Sequence, residues 1–273
     1  MKRVITLGIG LVALAGMALP AAAADLGARP ITKAPVMAPP VAFWTGFYAG
    51  VGLGARAIEP DWNTTALVPG FVPDPFSNPQ TFDTTDFRVS GYFGYNWQFG
   101  TWLLGLEGDV GWADNKTNRA GIPGTFNGGG ALGTVGPLAA TLALDASSIK
   151  ADWDASIRGR VGILAGPSVL LYATGGAAWL NVDTGASCLG NAINASWCVA
   201  TRSQTNSSTR FGWTVGAGVE WMFAPNWIAR GEYRFSDYGS FDTTFFGGTV
   251  DQVSTSIDLQ THTAYFGISY LFR

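Results

Sequence analysis

The chain of 273 residues has only 13% charged side chains, about half the share of an ordinary soluble domain, yet carries 37 glycines and 11 tryptophans. That balance excludes a surface bathed only in water. The formal net charge of −3, which becomes −5 once Lys2 and Arg3 are removed, excludes the basic footprint of a nucleic-acid binder and leaves small cations as the charged partners it favours.

The chain opens with Lys2 and Arg3, an apolar stretch from Val4 to Leu19, and the small residues Ala22, Ala23 and Ala24. This order predicts a secretory signal peptide cut before Asp25; a membrane anchor would need roughly 20 apolar residues. Pro30, Pro35, Pro39 and Pro40 follow, and proline at this density favours extended, unpaired backbone. The predicted plan is a signal peptide over 1–24, a proline-rich periplasmic arm over 25–42 and one transmembrane β-barrel domain over 43–273.

From Trp44 the chain alternates with period two in blocks of about ten residues, the length a tilted strand needs to cross hydrocarbon. The blocks fall near 44–56, 86–97, 102–112, 151–164, 168–181, 209–222, 227–236 and 262–272. The connections at 98–101, 165–167 and 223–226 are tight and hold Gly100, Gly166 or Pro225, whereas 58–85, 113–150, 182–208 and 237–261 are long, polar and without regular pattern. Alternating short and long connections predict an all-β fold, an eight-stranded antiparallel transmembrane barrel with short periplasmic turns and long extracellular loops.

One parity of each block is apolar, as in Phe87, Val89, Phe93 and Tyr95, or Phe211, Val215, Ala217 and Val219, and is expected to face lipid. Trp97, Trp102, Trp221, Trp227 and the terminal Phe272 lie by the short-turn end and Trp112 and Trp213 nearer the long loops, a pattern of two interfacial girdles. A soluble sandwich or lipocalin-like barrel would put its apolar parity inside. The opposite parity supplies Arg88, Glu107, Asp109, Asp152, Asp154, Arg158, Arg160, Glu220, Arg230, Glu232 and Arg234, both signs in near balance. Eight strands enclose a bore just wide enough for side chains to fill. Two arrangements remain open: a plug of ion pairs, with Gly50, Gly52, Gly216 and Gly218 making room for the arginines, or an eyelet of Arg158, Arg160, Arg230 and Arg234 opposite Glu107, Glu220 and Glu232 that passes water or small ions.

Little else suggests chemistry. His262, the one histidine, shares parity with Ala264 and Phe266, and no hydroxyl or thiol lies two residues away on its face, so no Ser-His-acid set can be named. The glycines at 128–130 and across Thr174–Ala178 lack the strand-to-helix context of a phosphate loop. Asp114, Asp237, Asp242 and Asp251 lack a calcium-ligand spacing. No catalytic, cofactor or metal residues are assigned. Cys188 and Cys198, close together in an exported chain, are expected to form a disulfide closing a short loop.

Several segments resemble the small surface-antigen outer-membrane proteins, loosely called porin-family proteins, of alphaproteobacteria. The resemblance spans nearly the whole chain and rests on A-A-A-A-D-L at Ala21–Leu26, W-T-G-F-Y-A-G at Trp44–Gly50, G-W-T-V-G-A-G-V-E-W at Gly212–Trp221, R-G-E-Y-R-F-S-D-Y-G at Arg230–Gly239 and the aromatic end, where Phe272 precedes Arg273. It implies an eight-stranded barrel with a structural and antigenic role, an end read by the barrel assembly machinery, and in some members loop-borne ligand capture such as haem. No loop histidine is present to ligate haem.

The resulting expectation is a non-enzymatic barrel of the Gram-negative outer membrane that supports the envelope and displays four polar loops, without cofactor. Its partners would be outer-membrane lipid, the assembly machinery, and an extracellular ligand or host surface; monomer is the default. The alternative is a narrow channel for small ions or solutes, and behind it a lipid-modifying enzyme.

Overall fold

The computed structural model describes residues 43–68, 70, 72–125, 145–188 and 200–273. The expected signal peptide, the proline-rich arm, Cys198 and the glycines at 128–130 lie outside them. Among the described residues all regular structure is extended: β1 (Gly46–Leu67), β2 (Gln80–Thr81), β3 (Thr84–Phe99), β4 (Trp102–Ala120), β5 (Ala146–Leu164), β6 (Val169–Cys188), β7 (Arg202–Ala224), β8 (Trp227–Phe245) and β9 (Val253–Phe272).

Every long strand pairs antiparallel with its neighbour, and β9 returns to β1 from Phe47↔Phe272 to Leu67↔Val253, closing a ring of eight; β2 is a short addition to β1. Closure leaves the ring no unpaired edge, the condition for crossing lipid with strands. At the narrow turns, Gly100 (φ 62°) and Asn226 (φ 70°) take the left-handed backbone that glycine and asparagine tolerate best. These turns and both ends of the ring share one rim, which in outer-membrane barrels is periplasmic.

The inner ends of the strands lie within two residues of the expected ones, but the outer ends run much further. β1 continues past Arg56 to Leu67, β4 past Trp112 to Ala120, β8 past Ser236 to Phe245, and β9 begins at Val253 instead of 262. Much of what reads as long polar loop is therefore strand. The physical reason is an inversion of polarity: in β1 the inward parity changes from Arg56 to Ile58 and Trp62, while the outward parity changes from Leu53 and Ala55 to Glu59, Asp61 and Asn63. Three bulges, at Trp112/Asn115 in β4, Ala151/Asp154 in β5 and Asp237/Ser240 in β8, shift the phase at the same level.

Above that level the ring divides. Pairing of β3 with β4 stops at Arg88↔Ala113 and that of β7 with β8 at Trp213↔Asp237, whereas β4-β5-β6-β7 and β8-β9-β1 stay paired to their tips. Two sheets result, and their inward side chains form one apolar core that includes Ile58, Trp62, Ile149, Leu180, Val182, Phe245 and Ile257. Trp62 stacks on Phe245 at 5.4 Å between ring centres. The seams are bridged by side chains, Asn206 Nδ2 donating to Thr243 Oγ1 at 3.0 Å and Arg119 Nη2 to the Thr81 carbonyl at 2.5 Å. A second, smaller apolar cluster closes the periplasmic end, with Trp44, Leu103, Leu170, Ile228 and Leu271 at its centre.

Candidate functional site

Between the two apolar layers lies a charged belt. Inward positions of β1, β3, β4, β5, β7 and β8 place six arginines (Arg56, Arg88, Arg158, Arg160, Arg230, Arg234) against five carboxylates (Glu107, Asp109, Asp154, Glu220, Glu232), all buried. In the outer half Asp154 accepts from Arg56 at 2.6 Å and Arg88 at 2.5 Å, and Asp109 from Arg88 and Arg234, each at 2.8 Å. Ser156 also donates to Asp109. In the inner half Arg158 spans Glu107 at 2.6 Å and Glu232 at 2.5 Å, Arg230 spans Glu107 and Glu220 at 2.6 Å each, and Arg160 meets Glu220 at 2.8 Å. Arg158 joins the halves, 3.5 Å from Asp109.

Tyrosines complete the belt. The Tyr48 hydroxyl donates to Glu107 at 2.7 Å and accepts from Arg160 at 2.8 Å, Tyr172 donates to Glu232 at 2.6 Å, and the Arg160 and Arg230 guanidiniums lie 4.2 Å over the Tyr172 and Tyr92 rings. Each desolvated charge thus has an opposite charge or polar partner, without which it would cost several kcal/mol. The chemistry available is electrostatic and steric.

Three features differ from the sequence reading. Asp152 is not in the belt: the bulge that sets Asp154 against Leu180 turns its side chain outward, where it meets Lys150 at 2.7 Å. Arg56 is in it, although the sequence reading omitted it; the even parity running from Trp44 through Tyr48 was the signal that could have found it. Its guanidinium also donates to the carbonyls of Ala113, Ala151 and Asp152 at 3.2, 2.7 and 3.1 Å, satisfying acceptors that the paired bulges of β4 and β5 release from the ladder. Finally, Gly50, Gly52 and Gly218 make room for the rings of Tyr92, Tyr265 and Tyr172, and Gly216 lies against the Thr174 side chain and the backbone of Tyr233 and Arg234, with no arginine side chain among its nearest atoms.

Two glycines do seat arginines: Gly105, where a Cβ would fall 2.9 Å from the Arg160 side chain, and Gly111, where it would overlap the Arg88 guanidinium. Gly111→Ala is expected to lower stability by about 1–3 kcal/mol, the range for overpacking. Gly108→Ala, whose Cβ would meet the outward Phe93 ring at 3.5 Å and the Ser156 carbonyl at 3.8 Å, both ordinary contacts, is the near-neutral control. Urea midpoints of the two refolded variants check this; equal midpoints would sink it.

The outer wall is apolar between two aromatic bands. Trp97, Trp102, Trp221, Trp227 and Phe272 stand exposed near the short turns, and Trp112 and Trp213 near the polarity change. Trp227 packs on Tyr270 at 5.2 Å, and Trp213 on Phe235 at 5.5 Å. His262 also faces outward: Tyr233 Oη lies 2.7 Å from its Nδ1 and Glu59 3.8 Å from Nε2. These cross-strand neighbours are invisible to a search along one strand. Cys188 is buried at the outer end of β6.

A closed ring of strands, apolar outside and charged within, banded by aromatics at two levels, defines an integral outer-membrane β-barrel protein. The chain belongs to the outer membrane protein beta-barrel domain family, whose sequence profile matches residues 9–272. It is 29% identical over 253 residues to the 31 kDa outer-membrane immunogenic protein of Brucella melitensis biotype 1, covering 88% of this chain and 89% of that one. To the 22 kDa outer membrane protein of Rhizobium leguminosarum bv. viciae it is 30% identical over 210 residues, covering 77% of this chain and 71% of that one. Among solved structures, OprG of Pseudomonas aeruginosa aligns with a TM-score of 0.48 at 10% identity, covering 84% of this chain and 97% of that one. By its family and these alphaproteobacterial relatives the protein is a β-barrel of the Gram-negative outer membrane, similar to proteins named there as outer-membrane immunogens.

Proposed function

We propose that this protein is a closed, non-enzymatic barrel that reinforces the outer membrane and carries a surface for recognition outside the cell, where its Brucella relatives are named as immunogenic. One observation carries the reading: among the described residues, inward side chains occupy the bore at three levels, Trp44, Leu103, Leu170, Ile228 and Leu271 at the periplasmic end, the ion-pair belt in the middle and the Trp62 core outside. Ions would have to displace apolar layers on both sides of a belt in which every buried charge already faces an opposite one.

Residues 25–273 refolded into a planar bilayer are expected to pass no steady current. Stable unitary conductance would overturn the closed reading and favour the channel, and a change in that conductance in Arg158→Ser/Arg160→Ser would place its constriction at the belt. Lipid cleavage by the refolded protein would overturn the non-enzymatic reading.

The same proposal includes export by the signal peptide, assembly directed by the aromatic end, a monomeric barrel, and a Cys188–Cys198 disulfide that staples the β6–β7 connection. The disulfide is expected to appear as a 2 Da mass increase on reduction (two hydrogens per bond); no change would remove it.

A further inference from the structure

The two seams above the belt create four strand edges, and three of them are blunted. On β1 the short β2 already adds a strand, pairing at Asp61↔Thr81 and Trp62↔Gln80. β4 turns the charged Asp114 and Lys116 outward, and its Arg119 is engaged by the Thr81 carbonyl across the seam. β8 is bent by the bulge at Asp237/Ser240 and carries Asp242 outward; its Thr244 carbonyl and Phe246 N–H are taken by the side-chain amides of Asn206 and Gln204 at 3.3 and 2.6 Å. Charges, bulges and covering strands are the devices that protect sheet edges. The edge of β7 has none of them: over 203–209 its outward residues are Ser203, Thr205, Ser207 and Thr209, small, exposed and uncharged.

The backbone of that edge is available to pair. Met222 N donates to the Ser168 carbonyl and Thr184 Oγ1 to the Asn206 carbonyl, both on the β6 side, and β6 and β7 stay in register from Cys188↔Arg202 to Val169↔Trp221. Because backbone groups alternate sides along a strand, the even-numbered residues of β7 point theirs at β6. Thr205, Ser207 and Thr209 point theirs into the seam, where no backbone pairing to β8 continues above Trp213↔Asp237. The seam is a wedge: at its foot a Cβ on Gly212 would strike the Asp237 carbonyl, while higher up the Asn206 side chain spans the gap to Thr244. The Gln204 and Asn206 amides meet β8 as the peptide groups of an added strand would. Across the wedge the Arg210 guanidinium lies 3.7 Å over the Phe241 ring and its Nε donates to Ser208 Oγ at 3.0 Å; among the described residues it has no carboxylate in ion-pair reach.

We propose that the β7 edge over 203–211 receives an extended peptide segment of a protein outside the cell. The segment adds as a strand in the wedge, displaces the Gln204 and Asn206 amides from β8 and sets an acidic side chain against Arg210. In strand addition main-chain bonds supply the affinity and side chains the specificity. A second copy in the same membrane does not fit: strands tilted about 40° on two barrels related by an axis along the membrane normal cross at about 80°, too steep for a ladder. The inference deepens the recognition role proposed above and rests on it.

The test is fluorescence anisotropy of a labelled, end-blocked peptide of alternating threonine and valine with aspartate at both ends, titrated with the full mature protein folded in detergent. Saturable binding is expected, weakened about tenfold when alternate peptide amides are N-methylated and about fivefold when the aspartates become lysines. Ser207→Pro and Thr205→Pro each remove one seam-facing N–H and leave the β6 ladder intact; whichever stays heat-modifiable, and so folded, is expected to bind about tenfold more weakly. Arg210→Gln is expected to abolish the preference for aspartate over lysine and to keep the sensitivity to N-methylation. No binding by the unaltered protein, equal binding of the N-methylated peptide, a folded proline variant that binds as before, or an aspartate preference that survives Arg210→Gln overturns the proposal. So does a dimer in light scattering that the proline variants disperse, which would give the edge to a second copy. A folded barrel that is silent in the bilayer and ignores the peptide loses the wedge and keeps the closed reading; one that conducts and binds the peptide does the reverse.

Discussion

Replacing Arg158 with methionine is expected to lower the stability of the folded barrel by about 3–5 kcal/mol, the loss found when one partner of a buried ion pair is removed. Arg158 is fully buried and bonds Glu107 and Glu232 at once. Glu107 would keep Arg230 at 2.6 Å, but the next guanidinium to Glu232 is that of Arg230 at 3.9 Å, so a carboxylate held mainly by the Tyr172 hydroxyl would remain in a dry interior. The measurement is the urea dependence of the folded, heat-modifiable band. Adding Glu232→Gln to Arg158→Met removes the stranded charge and should recover part of the loss. A single variant as stable as the original would mean that water already reaches the belt.

Trp62→Ala should have an effect of similar size, about 3–5 kcal/mol for emptying a large buried aromatic site, with a different distribution. Trp62 is fully buried, stacks on Phe245 and lies 5.8 Å from the Phe82 ring, all above the points where β3 parts from β4 and β7 from β8. The loss is expected as faster proteolysis of the outer sheets, with the lipid-embedded ring still protected and its heat-modifiability retained. Unchanged proteolysis, or collapse of the whole barrel, would show that the outer core is not a separately failing unit.

The embedded half of this fold was legible because lipid imposes one rule on every strand. Alternation such as Phe87, Val89, Phe93 against Arg88 and Tyr92 marked both the strands and their faces, and Gly100, Gly166 and Pro225 marked the tight turns. The outer half was not legible by the same rule. Once β1 leaves lipid at Ile58, the apolar side chains turn inward, and Thr, Ser and Asn on the outward parity resemble loop composition. Asp152 was misplaced for a sharper reason: a bulge reverses parity without requiring any particular residue type, so an aspartate two positions before Asp154 reads as sharing its face. The partners of Gly50 and Gly218 were likewise hidden, because which tyrosine fills each gap depends on the register around the ring.

The outer sheets also set a height. With about 3.3 Å per residue and a tilt near 40°, the run of β1 from Ile58 to Leu67 lifts its tip about 23 Å above the level at which the strand leaves the lipid. The sheets act as a pedestal, with their own apolar interior to keep them upright. Large molecules approaching the cell therefore encounter the tips first, while the lipid-level wall with its girdles stays screened from anything too bulky to reach down between neighbouring lipids.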